Sequence, residues 1–128
     1  MNIERYNQLQ ETENKKQLAI DFDGVIHKNS KGFYDGTIYD EPIEGSIESI
    51  KSLAKQYDII IFTAKAKRDR PLVNGKTGAE LVYDWLDKYG LSSSIKQVTS
   101  EKPRAVAYID DKAIKFTSWK ETIGILNE

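Results

Sequence analysis

The hydrophobic positions fall into four short runs separated by longer stretches of helical spacing. Leu18-Ala19-Ile20-Asp21-Phe22 is apolar except at Asp21 and has the length of a buried strand. Asp58-Ile59-Ile60-Ile61-Phe62 is a second such run, ending at Thr63. Ile95 to Thr99 is a third, and Ala105 to Ile109 a fourth that ends in Asp110-Asp111. Between the first two runs, Pro42 and Ser46 open a helix whose stripe is Ile47, Ile50, Leu53 and Ala54. Thr77-Gly78-Ala79-Glu80 is a capping box. It starts a helix with Leu81, Val82, Trp85, Leu86 and Tyr89 inward and Gly90 as its stop. Residues 27–41, rich in glycine and polar turn formers, read as a hairpin or flap, and Lys65 to Lys76 as a basic loop. Thr122 to Leu126 reads as a weaker final strand or helix. Residues 1–12 read as a short helix with Ile3, Tyr6 and Leu9 on one side, or as a frayed tail.

Strands alternating with helices predict an α/β fold with a mainly parallel sheet and right-handed crossovers. The expected strand order is about 3-2-1-4-5. Ligands of such sheets sit beyond the carboxyl ends of the strands, where the order reverses. Asp21 and Asp23, Thr63, and Asp110 with Asp111 all fall at such ends, and Lys102 lies in the loop entering the fourth strand. Asp21 and Asp110 are then expected to face each other.

Composition narrows the chemistry. A chain of 128 residues suits one domain over 1–128 with a single core. A net charge of −1 gives no overall drive toward nucleic acid or anionic membranes. No apolar run approaches the roughly 18 residues of a membrane span, and Met1 to Lys16 lacks the apolar centre of a signal peptide. The expectation is a soluble, cytoplasmic protein with no membrane partner. Without cysteine and with one histidine, His27, thiol catalysis and multi-histidine zinc are excluded. A metal here would sit on oxygen, which favours magnesium or manganese.

Clustered carboxylates repel at low dielectric, and a bound Mg²⁺ relieves that. Asp21 would be both metal ligand and nucleophile toward phosphorus. Asp23 would give its main-chain carbonyl to the metal and use its side chain as general acid and base. Gly24 lets the chain turn with no side chain over the pocket. Thr63 supplies a hydroxyl and an N–H to phosphoryl oxygens, and Lys102 a full charge. Asp110 closes the metal shell, with Asp111 as a further ligand or an anchor for Lys102.

The series Asp21-Phe22-Asp23-Gly24, Ile61-Phe62-Thr63, Lys102-Pro103 and Ile109-Asp110-Asp111 resembles the four short motifs of the haloacid dehalogenase-like hydrolases, over roughly residues 17 to 112. The resemblance implies a Rossmann-like three-layer sandwich and a Mg²⁺-dependent phosphatase working through an aspartyl-phosphate on Asp21, with Asp23 as acid and base. A carboxylate at position 23 matches the phosphatases and not the dehalogenases. The resemblance also makes residues 25–41 the squiggle and flap. The 39 residues between Asp23 and Thr63 also hold a helix and a strand, so no large cap fits. The lysine stands eight residues before Asp110, so it comes from a loop, with Lys96 and Arg104 as substitutes.

Other families share parts of this pattern. An Asp-x-Asp strand end also binds metal in sugar-nucleotide transferases, but without a second Asp-Asp strand end. Receiver domains place their acidic pair first and a single Asp later, the wrong order. Gly75-Lys76-Thr77 mimics the end of a P-loop, but Arg70 stands where that motif needs glycine. His27 reads as a flap surface residue, and Trp119 as packing. The substrate is expected to be a phosphorylated small molecule or a phosphorylated polymer end, contacted by Gly24, Ala64, Lys65, Arg68 and Arg70. One alternative is a phosphatase of nucleotides or nucleic-acid ends that uses the basic loop. Another is a non-catalytic metal-binding or regulatory module.

Overall fold

The structure, a computed structural model, describes residues 15–128. The helix expected over residues 1–12 lies outside them. Four parallel strands, β1 (Lys16–Asp21), β2 (Tyr57–Phe62), β3 (Ile95–Thr99) and β4 (Ala107–Ile109), form one sheet in the order β3-β2-β1-β4. β1 is flanked on both sides, Lys16 opposite Tyr57 through Asp21 opposite Phe62, and Leu18 opposite Ala107 through Ile20 opposite Ile109. The chain therefore leaves β1 to one side for β2 and returns to the other side with β4, which makes the β1–β4 edge the reversal point.

Helix α1 (Ser46–Leu53) joins β1 to β2, and α2 (Gly78–Lys88) joins β2 to β3. Their expected inward faces pack on the core, except for Leu81, which is half-buried outside it. Thr77 accepts from the Glu80 N–H at 3.1 Å, and Glu80 reaches back to the Thr77 N–H at 3.1 Å, the predicted capping box. Ile50 of α1 and Val82, Trp85 and Leu86 of α2 close on Leu18, Ile20, Ile59 and Ile61, which alternate onto one face of the sheet. Each aliphatic side chain buried there contributes about 1.5–3 kcal/mol. The tips of β1 and β2 thus rise directly from the buried core.

Three expectations need correction. The fifth strand is absent among the described residues: its segment is helix α3 (Trp119–Leu126), started by Ser118, whose hydroxyl accepts from the Glu121 N–H at 3.2 Å. Ser118-Trp119-Lys120-Glu121 is a helix-start pattern that decides the conformation before the β-branched residues follow. The third layer also fails to form as expected. Only residues 100–106 connect β3 to β4, too few for a crossover helix, and both α1 and α2 lie on the same face. Residues 27–41 are a chain of turns instead of a hairpin, with bridges only at His27 to Pro42 and Asp23 to His27. A tight hairpin forms at Val73-Asn74-Gly75-Lys76 in the basic loop, an Asn-Gly turn with Val73 and Lys76 exchanging both main-chain hydrogen bonds at 3.0 Å. Among the described residues, no helix is long and apolar enough to cross a membrane.

Candidate active site and metal centre

The register Ile20 opposite Ile109 sends Asp21 and Asp110 out of the sheet side by side. One carboxylate oxygen from each of Asp21, Asp110 and Asp111 lies within 4.8 Å of the others. Asp21 is half-buried and accepts from the Phe22 N–H at 2.8 Å, while Asp110 and Asp111 are exposed. Burial pushes the Asp21 carboxyl above its ordinary value, and the charges of Asp110, Asp111 and Asp23 push it the same way, against the Phe22 hydrogen bond. A cation among these three oxygens reverses both effects. Hard oxygen donors and no nitrogen or sulfur suit Mg²⁺, so the residues fit the expected ion.

After Asp21 the chain turns sharply. The Phe22 carbonyl accepts from the N–H groups of Val25 at 3.3 Å, Ile26 at 2.9 Å and His27 at 3.0 Å, and Phe22 itself is fully buried. Gly24 sits in this turn at φ 84°, and a Cβ there would collide with the Asp111 carboxylate, whose Cγ would be 3.1 Å away. Its lack of a side chain therefore serves the acidic cluster directly. Gly78, at the start of α2, is packed on the main-chain carbonyl of Lys65, which fixes the turn that follows β2.

The turn carries Asp23 away from the three clustered oxygens. Its Oδ1 lies 2.8 Å from Nδ1 of His27 and its Oδ2 3.4 Å from Nζ of Lys65. Thr63, 4 % exposed, follows β2, and its Oγ1 accepts from the Lys65 N–H at 3.2 Å. Its own hydroxyl proton is then left to donate into the cleft. That cleft, about 220 Å³, is walled by Asp21, Asp23, Thr63, Ala64, Lys65 and Arg70, with Asn29 and Phe33 from the flap.

Most of the expected site residues converge: Asp21, Asp23, Thr63, Ala64, Lys65 and Arg70 on the cleft, and Asp110, Asp111 and Gly24 at its acidic end. Lys102 is not brought to the carboxylates. Tyr108 donates its hydroxyl to the Pro103 carbonyl at 2.6 Å, and the Lys102 ammonium lies 4.8 Å from the Tyr108 ring centre. Lys96 pairs with Asp58 at 3.3 Å, beside the entry to β2. Arg68 lines a different cleft with Thr77 and Glu101, so the basic loop splits across two surfaces. Lys76 is paired with Asp84. Lys65, only 8 % exposed, is instead the ammonium paired with Asp23 in the cleft.

His27 is the residue that the pattern misplaced. It is fully buried, stacked on Phe22 at 5.4 Å and set edge-on to Tyr39 at 5.4 Å and Trp85 at 5.7 Å. The available signal was its position directly after Val25-Ile26. Asp40 anchors the flap behind it. The Asp40 N–H donates to His27 Nε2 at 3.0 Å, its carbonyl accepts from Trp85 Nε1 at 3.0 Å, and its carboxylate takes the Ser30 and Glu41 N–H groups at 2.9 Å each. Those hydrogen bonds, that from the Ser30 hydroxyl first, hold the Asp40 carboxyl down at about 2. Compared with family models, with curated proteins and with solved structures, the chain matches none.

Proposed function

We propose that this chain is a Mg²⁺-dependent phosphomonoester hydrolase of the haloacid dehalogenase-like kind, with a Rossmann-like core and no large cap. The observation that carries the reading is the meeting of Asp21, Asp110 and Asp111 oxygens within 4.8 Å, beside the cleft that Asp21 shares with Asp23, Thr63 and Lys65. Asp21, Asp110 and Asp111 would hold the ion, with the Asp23 main-chain carbonyl as the further ligand. When bound, the ion neutralises the carboxylates and the charge on the transferring group. Asp21 attacks phosphorus with its free oxygen, forming the aspartyl-phosphate as the ester P–O bond breaks. Asp23 gives its proton to the departing oxygen and takes one back from the water that then cleaves the aspartyl-phosphate. The Thr63 hydroxyl and the Lys65 ammonium face the equatorial oxygens.

The test is hydrolysis of a panel of phosphorylated sugars, nucleotides and oligonucleotide ends with and without Mg²⁺. Wild type should turn over at least one member, and Asp21→Asn should abolish turnover without lowering the melting temperature. Full activity in Asp21→Asn sinks the nucleophile assignment. A wild type inert across the panel favours the non-catalytic module. The split of Lys65 and Arg70 from Arg68 between two clefts weighs against the basic loop as a continuous track for a nucleic-acid backbone.

A further inference from the structure

We propose that His27 is a positioning residue: a neutral imidazole that pins Oδ1 of Asp23 so that Oδ2 faces the leaving group. This rests on the hydrolase reading above. The polarity of the hydrogen bonds carries it. A main-chain N–H can only donate, so the Asp40 amide at 3.0 Å requires a bare lone pair on His27 Nε2. The imidazole's one proton is then on Nδ1, and it is donated to Asp23 Oδ1 at 2.8 Å. The ring cannot turn to exchange these roles, because it is fully buried and packed by Phe22, Tyr39 and Trp85. Both ring nitrogens are thereby used, and no proton leaves the imidazole during the reaction.

The consequence falls on Asp23. With Oδ1 committed as an acceptor, the oxygen beside Lys65, Oδ2, is the one that carries a proton to the ester oxygen. The flap turn at Asp40 thus sets the geometry of a carboxylate 17 residues earlier in the chain through one ring. The chain has no other histidine, so a spectroscopic readout of this ring is unambiguous.

Two measurements test the assignment. First, nitrogen-15 NMR of the wild type should show Nδ1 protonated and Nε2 bare; the opposite tautomer or an imidazolium overturns it. Second, His27→Phe keeps the ring volume and removes both hydrogen bonds. With an alkyl phosphate, whose leaving oxygen needs a proton, kcat/KM, which reports only formation of the aspartyl-phosphate, should fall about 100-fold, the low end of general-acid contributions. With 2,4-dinitrophenyl phosphate, which leaves without a proton, kcat/KM should change by less than about 3-fold, the acid contribution to that step being absent there. His27→Asn, which restores a donor toward Asp23, should recover part of the alkyl-phosphate rate. Equal losses on both esters, or none on either, overturn the positioning role while leaving the hydrolase reading intact. A wild type inert toward both esters and across the phosphorylated panel overturns the hydrolase reading, and the positioning role of His27 with it.

Discussion

Replacing Gly24 by alanine separates the acidic cluster from the fold that carries it. At φ 84° a non-glycine residue is strained, which costs roughly 1–2 kcal/mol. The new Cβ also meets the Asp111 carboxylate, with Cγ at 3.1 Å. Asp111 is exposed and free to swing, so the collision is relieved by moving that carboxylate out of the triad. Disturbing the arrangement of a metal's ligands typically weakens binding about 10- to 100-fold. At a Mg²⁺ concentration about 100 times the wild-type Kd, binding stabilises the wild type by about 2.7 kcal/mol; a tenfold weaker site gains about 1.4 kcal/mol at the same concentration. Urea unfolding with EDTA and with Mg²⁺ reads both quantities. Gly45→Ala is the control: the same φ of 84°, but nothing within 4 Å of its Cβ. Both variants should lose stability in EDTA, and only Gly24→Ala should lose part of the Mg²⁺ increment. An unchanged increment in Gly24→Ala refutes the placement of Asp111 in the ion's shell.

Lys65 and Lys102 compete for one role in the proposed mechanism, and Lys65 is the one buried beside Asp23. Lys65→Met should lower kcat/KM about 100-fold or more, the scale of one lost electrostatic donor, while Lys102→Met should change it little; the reverse ranking would show that the loop before β4 supplies the cation. The raised Asp21 carboxyl makes a pH prediction. Its folded value lies above the unfolded one, so its contribution to stability is fully present below the ordinary 3.8 and is lost as pH rises through the raised value. In EDTA the urea midpoint should carry a falling component over that window. Asp21→Asn should remove it, and Mg²⁺ should reverse it; a midpoint that ignores both denies the crowding of charge at Asp21.

The strands and the acidic strand tips were legible because each is a local signal: an apolar run of strand length with carboxylates directly after it. The order of the first three strands follows from neighbour-to-neighbour connections through α1 and α2; β4 is carried by residues 100–106 to the far side of β1, where Asp110 meets Asp21. The end of the sheet was not legible, because Thr122 to Leu126 is β-branched enough for a strand while Ser118 upstream had already committed the chain to a helix. Lys102 stands by Tyr108 and not in the cleft for a different reason. Its spacing to Asp110 fits the expected motif, but the Tyr108 hydroxyl holds the connection at Pro103 and the ammonium lies by the Tyr108 ring. Nothing in the local sequence encodes that contact.

His27 and Lys65 were hard to read because their roles depend on partners from separate loops. A histidine in a polar flap is ordinarily exposed. Here it is buried because three aromatic side chains from β1's exit, the flap and α2 close around it, and because Asp40 offers it a main-chain donor. The turn at Phe22 is what makes these long-range contacts matter. Two carboxylates one residue apart would share an environment on an extended strand, since both would point to the same face. Three N–H groups on the Phe22 carbonyl break that equivalence. Asp21 stays with the strand tip and the charges of β4, whereas Asp23 is delivered to an imidazole and an ammonium. The proposed nucleophile and the proposed proton carrier need different surroundings, and in this fold one tight turn provides both environments from the sequence Asp-Phe-Asp-Gly.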